Sequence, residues 1–113
     1  VWVGDGGFLM TGHECAAIMQ EKLPVKIIVC DNSCWGSIMT HQHKRFEGWD
    51  FGTRLESPDF AKLGEGYGMP TWKVTKTEEF AGALKEMLAT DGPGMMHLML
   101  DIRDISPFTG SAK

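Results

Sequence analysis

Two stretches of the sequence decide the fold, VWVGDGG at residues 1–7 and VKIIVCDN at residues 25–32. The first begins as a β-strand and runs into a glycine-rich turn. The second opens with an almost unbroken apolar run that contains β-branched residues, which is typical of a strand buried on both faces. With a helix between them, the two strands form a strand–helix–strand unit, and such units build parallel sheets.

The helix between these strands is predicted over about residues 12–22, because Thr11 and Glu14 have the spacing of a capping box and Pro24 ends the pattern. The rest of the chain continues the alternation. Further helices are expected over 35–40, from Ser57-Pro58-Asp59 and from a cap at Thr77, further strands over 71–74 and 95–100, and a long irregular stretch over 41–56. The last helix has one apolar face, formed by Phe80, Ala83, Leu84, Met87 and Leu88. This order predicts an α/β fold of three layers, with helices on both faces of a mainly parallel sheet, in one domain over residues 1–113.

Composition and charge argue against several classes of protein. A net charge of −4 gives no basic face for nucleic acid, and no apolar run approaches the roughly 20 residues that span a membrane. The three cysteines, Cys15, Cys30 and Cys34, are odd in number and form no Cys-x-x-Cys pair. That pattern favours neither a disulfide framework nor a structural zinc site. We therefore expect a protein of a reducing, cytoplasmic compartment that binds neither nucleic acid nor membrane.

Asp5 and Asn32 each follow closely on one of the first two predicted strands. The carboxyl ends of neighbouring parallel strands lie at the same edge of a sheet, where ligands bind in such folds, so the two side chains should face a common point. A carboxylate and an amide oxygen are hard ligands of the kind that Mg²⁺ or Ca²⁺ prefers. The pair therefore predicts a metal site at this edge.

The glycines around Asp5 predict that a phosphate binds beside this metal. Gly4, Gly6 and Gly7 allow a tight backbone path, and the last two let a ligand approach main-chain N–H groups. The helix expected to begin near Gly12 would add its positive end. Magnesium held by a few protein oxygens usually completes its coordination with phosphate oxygens and water. The residues therefore point to a magnesium–diphosphate site.

The triplet Gly4-Asp5-Gly6, followed after a spacer by Asp31-Asn32, resembles the cofactor motif of thiamine-diphosphate-dependent enzymes, a Gly-Asp-Gly triplet and then an Asn pair. The resemblance implies thiamine diphosphate and Mg²⁺ as cofactors. It implies as metal ligands Asp5, Asn32 and the main-chain carbonyl of Cys34. The glycine loop and the start of its helix would hold the diphosphate, and Trp35-Gly36 resembles the aromatic-or-Leu-then-Gly step after the Asn pair. The implied cofactor-binding set is Gly4, Asp5, Gly6, Gly7, Phe8, Asn32, Cys34, Trp35 and Gly36.

Three stretches further along, residues 58–63, 67–70 and 92–94, resemble the large subunits of acetolactate synthase. This resemblance implies the reaction, which is decarboxylation of a 2-oxo acid such as pyruvate and transfer of the two-carbon unit to an acceptor. Simple decarboxylation by a lyase of the same family stays open beside this transferase activity. The implied partners are thiamine diphosphate, the 2-oxo acid, and a second copy or another chain that carries the pyrimidine-binding domain.

The chain departs from the family's pattern in two ways. Asp31 stands where the motif has its first Asn, and metal binding should survive because the second Asn is the ligand. The activating Glu and the bulky apolar residue that bends the cofactor fall outside residues 1–113. Since the chain also opens within a strand and without an initiator Met, we expect a cofactor domain truncated at its N-terminus. Such a fragment should not catalyse alone and should self-associate through an uncovered sheet edge. The alternative is a non-catalytic binding or assembly module.

Two rival sites have less support. The dinucleotide fingerprint G-x-G-x-x-G fits Gly4 and Gly6 but meets Leu9 at its third glycine, and a carboxylate in the loop would obstruct a bare pyrophosphate. His41 and His43 lie in the predicted irregular stretch without a third ligand nearby. Long irregular loops often line functional sites, so a place in a substrate pocket is favoured over a metal site for these two residues.

Overall fold

The computed structural model describes residues 1–47 and 49–103, and its centre is a parallel sheet. The strands are β1 (Trp2–Gly4), β2 (Lys26–Asp31), β3 (Thr71–Val74) and β4 (Gly94–Met99). Their order across the sheet is β1-β2-β4-β3, and every pairing is parallel. Gly4 lies beside Cys30 and Asp31 beside Met99, so three strands end at the same edge. The predicted parallel sheet and α/β class are confirmed.

Helices connect the strands and lie on both faces of the sheet. They are α1 (Asp5–Thr11), α2 (Cys15–Gln20), α3 (Gly36–Arg45), α4 (Phe60–Gly66) and α5 (Thr77–Ala89), with a 3₁₀ turn over Gly12–Glu14. Helix α5 begins one residue earlier than expected, because its N-cap is Lys76 and not Thr77. Among residues 1–47 and 49–103, no helix combines the length and the apolar character needed to cross a membrane.

The start of α1 corrects the sequence analysis, which expected a glycine turn and a helix beginning near Gly12. The chain passes from β1 directly into α1, with Gly4 as an extended N-cap residue and Asp5 in the first turn. The Thr11 side chain makes no capping hydrogen bond. The earlier start is favoured by Asp5, because an acidic residue in the first turn stabilises the helix dipole. The glycine at position 6 is explained by packing, because a Cβ there would lie 2.7 Å from a neighbouring ring.

The region after β2 is also more ordered than predicted. Helix α3 runs to Arg45, so His41 and His43 lie on a helix and not in an irregular stretch. The basic residues of its last turn interact favourably with the negative end of the helix dipole. Helix α4 is capped by Asp59, whose side chain accepts the N–H groups of Ala61 and Lys62. Ser57, in the predicted cap position, lies before the helix and has another partner.

The core lies on both faces of the sheet, as the alternation of side chains along a strand requires. One face packs against α1, α2 and α4, and its buried cluster comprises Phe8, Cys15, Ile27, Val29, Phe60, Met69 and Met95. The other face is covered by α5, with a buried cluster of Ile28, Val74, Met87 and Met96. The three-layer prediction therefore holds. The predicted apolar face of α5 ends before Leu88, which is exposed.

Candidate functional site

The candidate site lies at the edge where β1 and β2 end. Asp5 is the first residue after β1 and Asp31 is the last residue of β2. Only 3% of Asp5 and 2% of Asp31 is exposed. Asn32 follows at once and is half-buried. Two carboxylates are therefore withdrawn from water at one point of the fold, which is costly unless each has partners.

Asp5 joins three segments of the chain through its carboxylate. Its Oδ1 accepts the Gly6 N–H at 2.8 Å. Its Oδ2 accepts the Cys34 N–H at 3.2 Å and the Ser57 hydroxyl at 3.3 Å. The structure thus brings Asp5 against the segment that follows β2, although 29 residues separate Asp5 from Cys34.

Residues 33–35 form a short antiparallel bridge with residues 53–55. Trp35 N–H donates to the Thr53 carbonyl at 2.7 Å, and Leu55 N–H donates to the Ser33 carbonyl at 2.9 Å. Cys34 is the residue between these two bonds, so its N–H and its carbonyl both point away from residues 53–55. Since the Cys34 N–H donates to Asp5, its carbonyl lies on the side of Asp5 too.

Asp31 has two separate sets of partners. Its Oδ1 accepts the N–H of Ser33 at 2.9 Å and the Ser33 hydroxyl at 3.3 Å. Its Oδ2 lies 2.9 Å from Nε2 of His97, and both side chains are buried. The other ring nitrogen of His97 lies 3.5 Å from Oδ1 of Asp59, whose Oδ2 accepts from Lys73 at 2.8 Å. A line of polar and charged side chains therefore runs from the site to the surface.

The electrostatics of the two buried carboxylates differ. Burial, together with the neighbouring Asp31 carboxylate, raises the pKa of Asp5, although the Gly6 N–H opposes that shift. Burial also acts on Asp31, but hydrogen bonds from His97, Ser57 and the Ser33 N–H outweigh it and lower the pKa of that carboxyl. The ion pairs among residues 1–47 and 49–103 include none to Asp5, and a positive charge placed beside it would favour its ionised form.

The donor set around Asp5 fits a hard divalent cation. The described residues contain no cluster of three or more His, Cys, Asp or Glu side chains able to hold a metal. The ligands expected from the sequence are instead one carboxylate, that of Asp5, the amide of Asn32 and the Cys34 carbonyl. All three can offer oxygen, and Mg²⁺ commonly takes one or two carboxylates and completes its octahedron with phosphate oxygens and water.

The remaining predicted cofactor residues surround this point. A Cβ on Gly6 would lie 2.7 Å from the ring of Trp35, and a Cβ on Gly7 would lie 3.3 Å from Val3, whereas nothing lies within 4 Å of one on Gly4. The Phe8 side chain is buried in the core, edge-on to another ring. Any contact of Phe8 with a ligand would therefore come from its main chain. Gly36 is the first residue of α3.

His41 and His43 remain outside the candidate site's hydrogen-bond network. Nε2 of His43 lies 3.7 Å from Oδ2 of Asp50, which also pairs with Arg54 at 3.2 Å. Beyond the end of α3, three aromatic rings are exposed and contact one another in the order Phe46, Trp49 and Phe51.

Sequence reasoning missed Ser57 and His97, which both touch the buried carboxylates. Ser57 was read as a helix cap because of the Pro that follows it. The sequence does indicate a special role for His97, since it is the only polar side chain in the strand sequence GMMHLM. A polar residue inside an apolar strand needs a buried partner, which sequence spacing does not identify.

Comparison with known proteins gives a consistent result. Residues 1–98 match the family model described as thiamine pyrophosphate enzyme, C-terminal TPP binding domain. The chain is 33% identical over 111 residues to mitochondrial acetolactate synthase of Schizosaccharomyces pombe, covering 97% of this chain and 17% of that protein. It is 32% identical over 99 residues to the acetolactate synthase isozyme 2 large subunit of Escherichia coli, covering 87% and 18%.

A solved structure is similar as well. The thiamine diphosphate-dependent 4-hydroxybenzoylformate decarboxylase of Rhodococcus jostii RHA1 superposes with a TM-score of 0.83 and 30% sequence identity, covering 93% of this chain and 20% of the other. The chain spans about a fifth or less of each of these proteins.

Proposed function

The chain belongs to the thiamine pyrophosphate enzyme family, as its C-terminal TPP-binding domain, and from this premise we propose that residues 1–113 bind TPP (thiamine diphosphate) together with Mg²⁺. The metal ligands in this proposal are Asp5, Asn32 and the Cys34 carbonyl. The observation that carries it is the contact between the buried Asp5 carboxylate and the Cys34 N–H. It supports the proposal because the N–H and the carbonyl of Cys34 both point away from residues 53–55 and therefore to the same side.

The diphosphate is assigned to the N-terminus of α1, next to the metal. The first N–H groups of an α-helix have no partner within the helix and favour an anion. The N–H of Gly6 already donates to Asp5, so Gly7 is left as the main-chain donor of the first turn, because the Phe8 N–H begins the hydrogen bonding within the helix. Gly4 leaves open space where a side chain would stand. Trp35 and Gly36 complete the set on the other side of Asp5.

The residues of this chain bind and orient the cofactor and do not carry the chemistry. When bound, the cofactor supplies an electron sink for decarboxylation of a 2-oxo acid. Asp5 and Asp31 keep their carboxylates away from water, so their charge acts on the metal with little screening. The relatives' names favour transfer of the resulting two-carbon unit in an acetolactate-synthase-like reaction, and a simple decarboxylation is the second candidate because of the similar decarboxylase.

Activity further requires a pyrimidine-binding domain, which we assign to a second copy or to a partner chain of the assembly. On this proposal residues 1–113 are part of the cofactor domain of such an assembly. A reducing compartment such as the cytoplasm is part of the same proposal, because Cys15, Cys30 and Cys34 are all free thiols.

Calorimetric titration of TPP with and without Mg²⁺ tests the proposal on three proteins: wild type, Asp5→Asn and Asp101→Asn. Asp5→Asn keeps the shape of the side chain and removes its charge, and Asp101→Asn makes the same change at an exposed carboxylate. We expect magnesium-dependent binding in wild type and Asp101→Asn. Asp5→Asn should weaken magnesium-dependent TPP binding more than the loss of an outer-shell partner does, which is about 10- to 100-fold. Absence of binding in all three would instead favour a non-catalytic binding or assembly module.

A further inference from the structure

We propose that His97 is a positioning residue that holds the metal-binding loop, defined as residues 31–34, through Asp31. The inference rests on the proposed function, because this loop carries Asn32 and the Cys34 carbonyl. His97 lies on β4, the strand beside β2, and only 2% of it is exposed. It touches none of the proposed metal ligands and acts through its neighbour.

The turn of the metal-binding loop depends on Asp31. Ser33 has a φ of 56°, in the left-handed region that residues other than glycine adopt only when their surroundings hold them there. Oδ1 of Asp31 holds it by accepting the Ser33 N–H at 2.9 Å. The second oxygen of Asp31 is fixed by Nε2 of His97, also at 2.9 Å. The imidazole thereby sets the orientation of the carboxylate that shapes the loop.

The imidazole has a neighbour on each of two sides. The Phe60 ring meets it edge-on with centroids 5.2 Å apart. On the far side, Nδ1 lies 3.5 Å from Oδ1 of Asp59, the N-cap residue of α4, without a hydrogen bond to it, and Asp59 is paired with Lys73. His97 therefore connects the loop to β4 and to the start of α4, and a ligating segment keeps its geometry when such outer contacts are rigid.

The residue at position 31 explains why a donor is needed here. The Asp31 carboxylate has only acceptors, and it is buried. Without His97 the buried Oδ2 of Asp31 would lose its hydrogen-bond partner, which is costly for a buried acceptor.

The experiment compares three substitutions at this pair with a control. His97→Leu removes the ring donor, whereas His97→Gln retains an amide N–H at a similar distance from the backbone. The double variant Asp31→Asn/His97→Leu also removes the buried charge, so the test survives even where His97→Leu alone does not fold. Met87→Ala destabilises the protein from the opposite face of the sheet.

Two quantities are measured on the full 113-residue chain. The first is the Mg²⁺ concentration that gives half-maximal TPP binding by calorimetry. The second is the hydrogen-exchange rate of the Ser33 amide by NMR without cofactor. His97→Leu and the double variant should raise the half-saturating Mg²⁺ concentration about 10- to 100-fold and speed exchange at Ser33. His97→Gln and Met87→Ala should leave the magnesium requirement near that of wild type.

The inference is overturned where the folded Leu variants need no more Mg²⁺ than wild type, or where Met87→Ala shifts the requirement equally. Failure of the proposed function has a different signature, which is no magnesium-dependent binding even in wild type. In that case the hydrogen-exchange rate of the Ser33 amide is the only test of whether His97 positions the loop. Faster exchange in the Leu variants but not in His97→Gln supports this role, and an unchanged rate refutes it.

Discussion

Gly6→Ala tests why glycine stands at position 6. We infer that a larger residue would clash with Trp35, and not that the chain needs glycine to form a turn there. An added Cβ would lie 2.7 Å from Cε3 and Cζ3 of the Trp35 ring and 2.9 Å from Cδ2. Carbon atoms prefer separations of about 3.5–4.0 Å, so the ring must move by about 1 Å. Trp35 directly follows Cys34. The strain is therefore expected to reach the proposed metal-binding segment.

Two opposing effects set the magnitude of this change. Overpacking in a well-packed site lowers the free energy of unfolding by about 1–3 kcal/mol. Replacing Gly by Ala within a helix raises it by about 1 kcal/mol. The net expected loss in the free energy of unfolding is therefore about 0–2 kcal/mol. Gly82→Ala provides the control, because Gly82 lies inside α5 and an added Cβ there meets nothing within 4 Å. In that variant the free energy of unfolding should rise by about 0.5–1 kcal/mol.

The assay is urea unfolding followed by circular dichroism, with TPP titration in the presence of Mg²⁺ on the same samples. Gly6→Ala should be less stable than Gly82→Ala by about 1–3 kcal/mol, the steric cost alone, and it should bind TPP more weakly. In a Trp35→Leu background the difference should shrink. Equal gains in stability for the two Ala variants, within about 0.5 kcal/mol, would refute the reasoning.

Asp59 and Phe60 give three further predictions. Asp59→Ala should lower the free energy of unfolding by about 1 kcal/mol in urea titrations, because it removes the cap of α4, and Asp59→Asn should retain most of that cap. A hydrogen bond from Lys73 lowers the pKa of Asp59 to about 2 from its ordinary 3.8. Because the folded pKa lies below the unfolded one, this carboxylate stabilises the fold above about pH 4 and loses its effect as the pH falls toward 2. Urea titrations over that interval should therefore show a flatter pH dependence in Asp59→Asn than in wild type. Phe60→Ala should cost about 3–5 kcal/mol, since the side chain is fully buried between Phe8 and His97, and a loss below about 1 kcal/mol would contradict this packing.

The sequence predicted the features that depend on local pattern. Residues 25–30 are apolar except for Lys26 because β2 is covered on both faces, and that property is visible in the sequence itself. Asp5 and Asn32 follow strands that are parallel neighbours in the sheet, so their common edge follows from topology. Glycine content misled the prediction at α1, because Gly6 and Gly7 have low helix propensity and only contact with Trp35 shows why glycine is present.

The unpredicted features depend on contacts between distant residues. Ser57 reaches Asp5 across 52 residues, and His97 reaches Asp31 across 66. No periodicity connects such positions, since each is fixed by the register of strands and the path of a loop. The bridge between residues 33–35 and 53–55 is of the same kind. It orders part of a region that, from its composition, was expected to be irregular.

The most direct test of the central account is to locate the metal. Replacing Mg²⁺ by paramagnetic Mn²⁺ in the presence of TPP broadens NMR signals near the ion. The account predicts that the amide signals of Asp5, Asn32 and Cys34 are lost first, while those of α5 stay sharp. Broadening centred on His41 and His43, or none that depends on TPP, would contradict the assignment of the metal to this edge of the sheet.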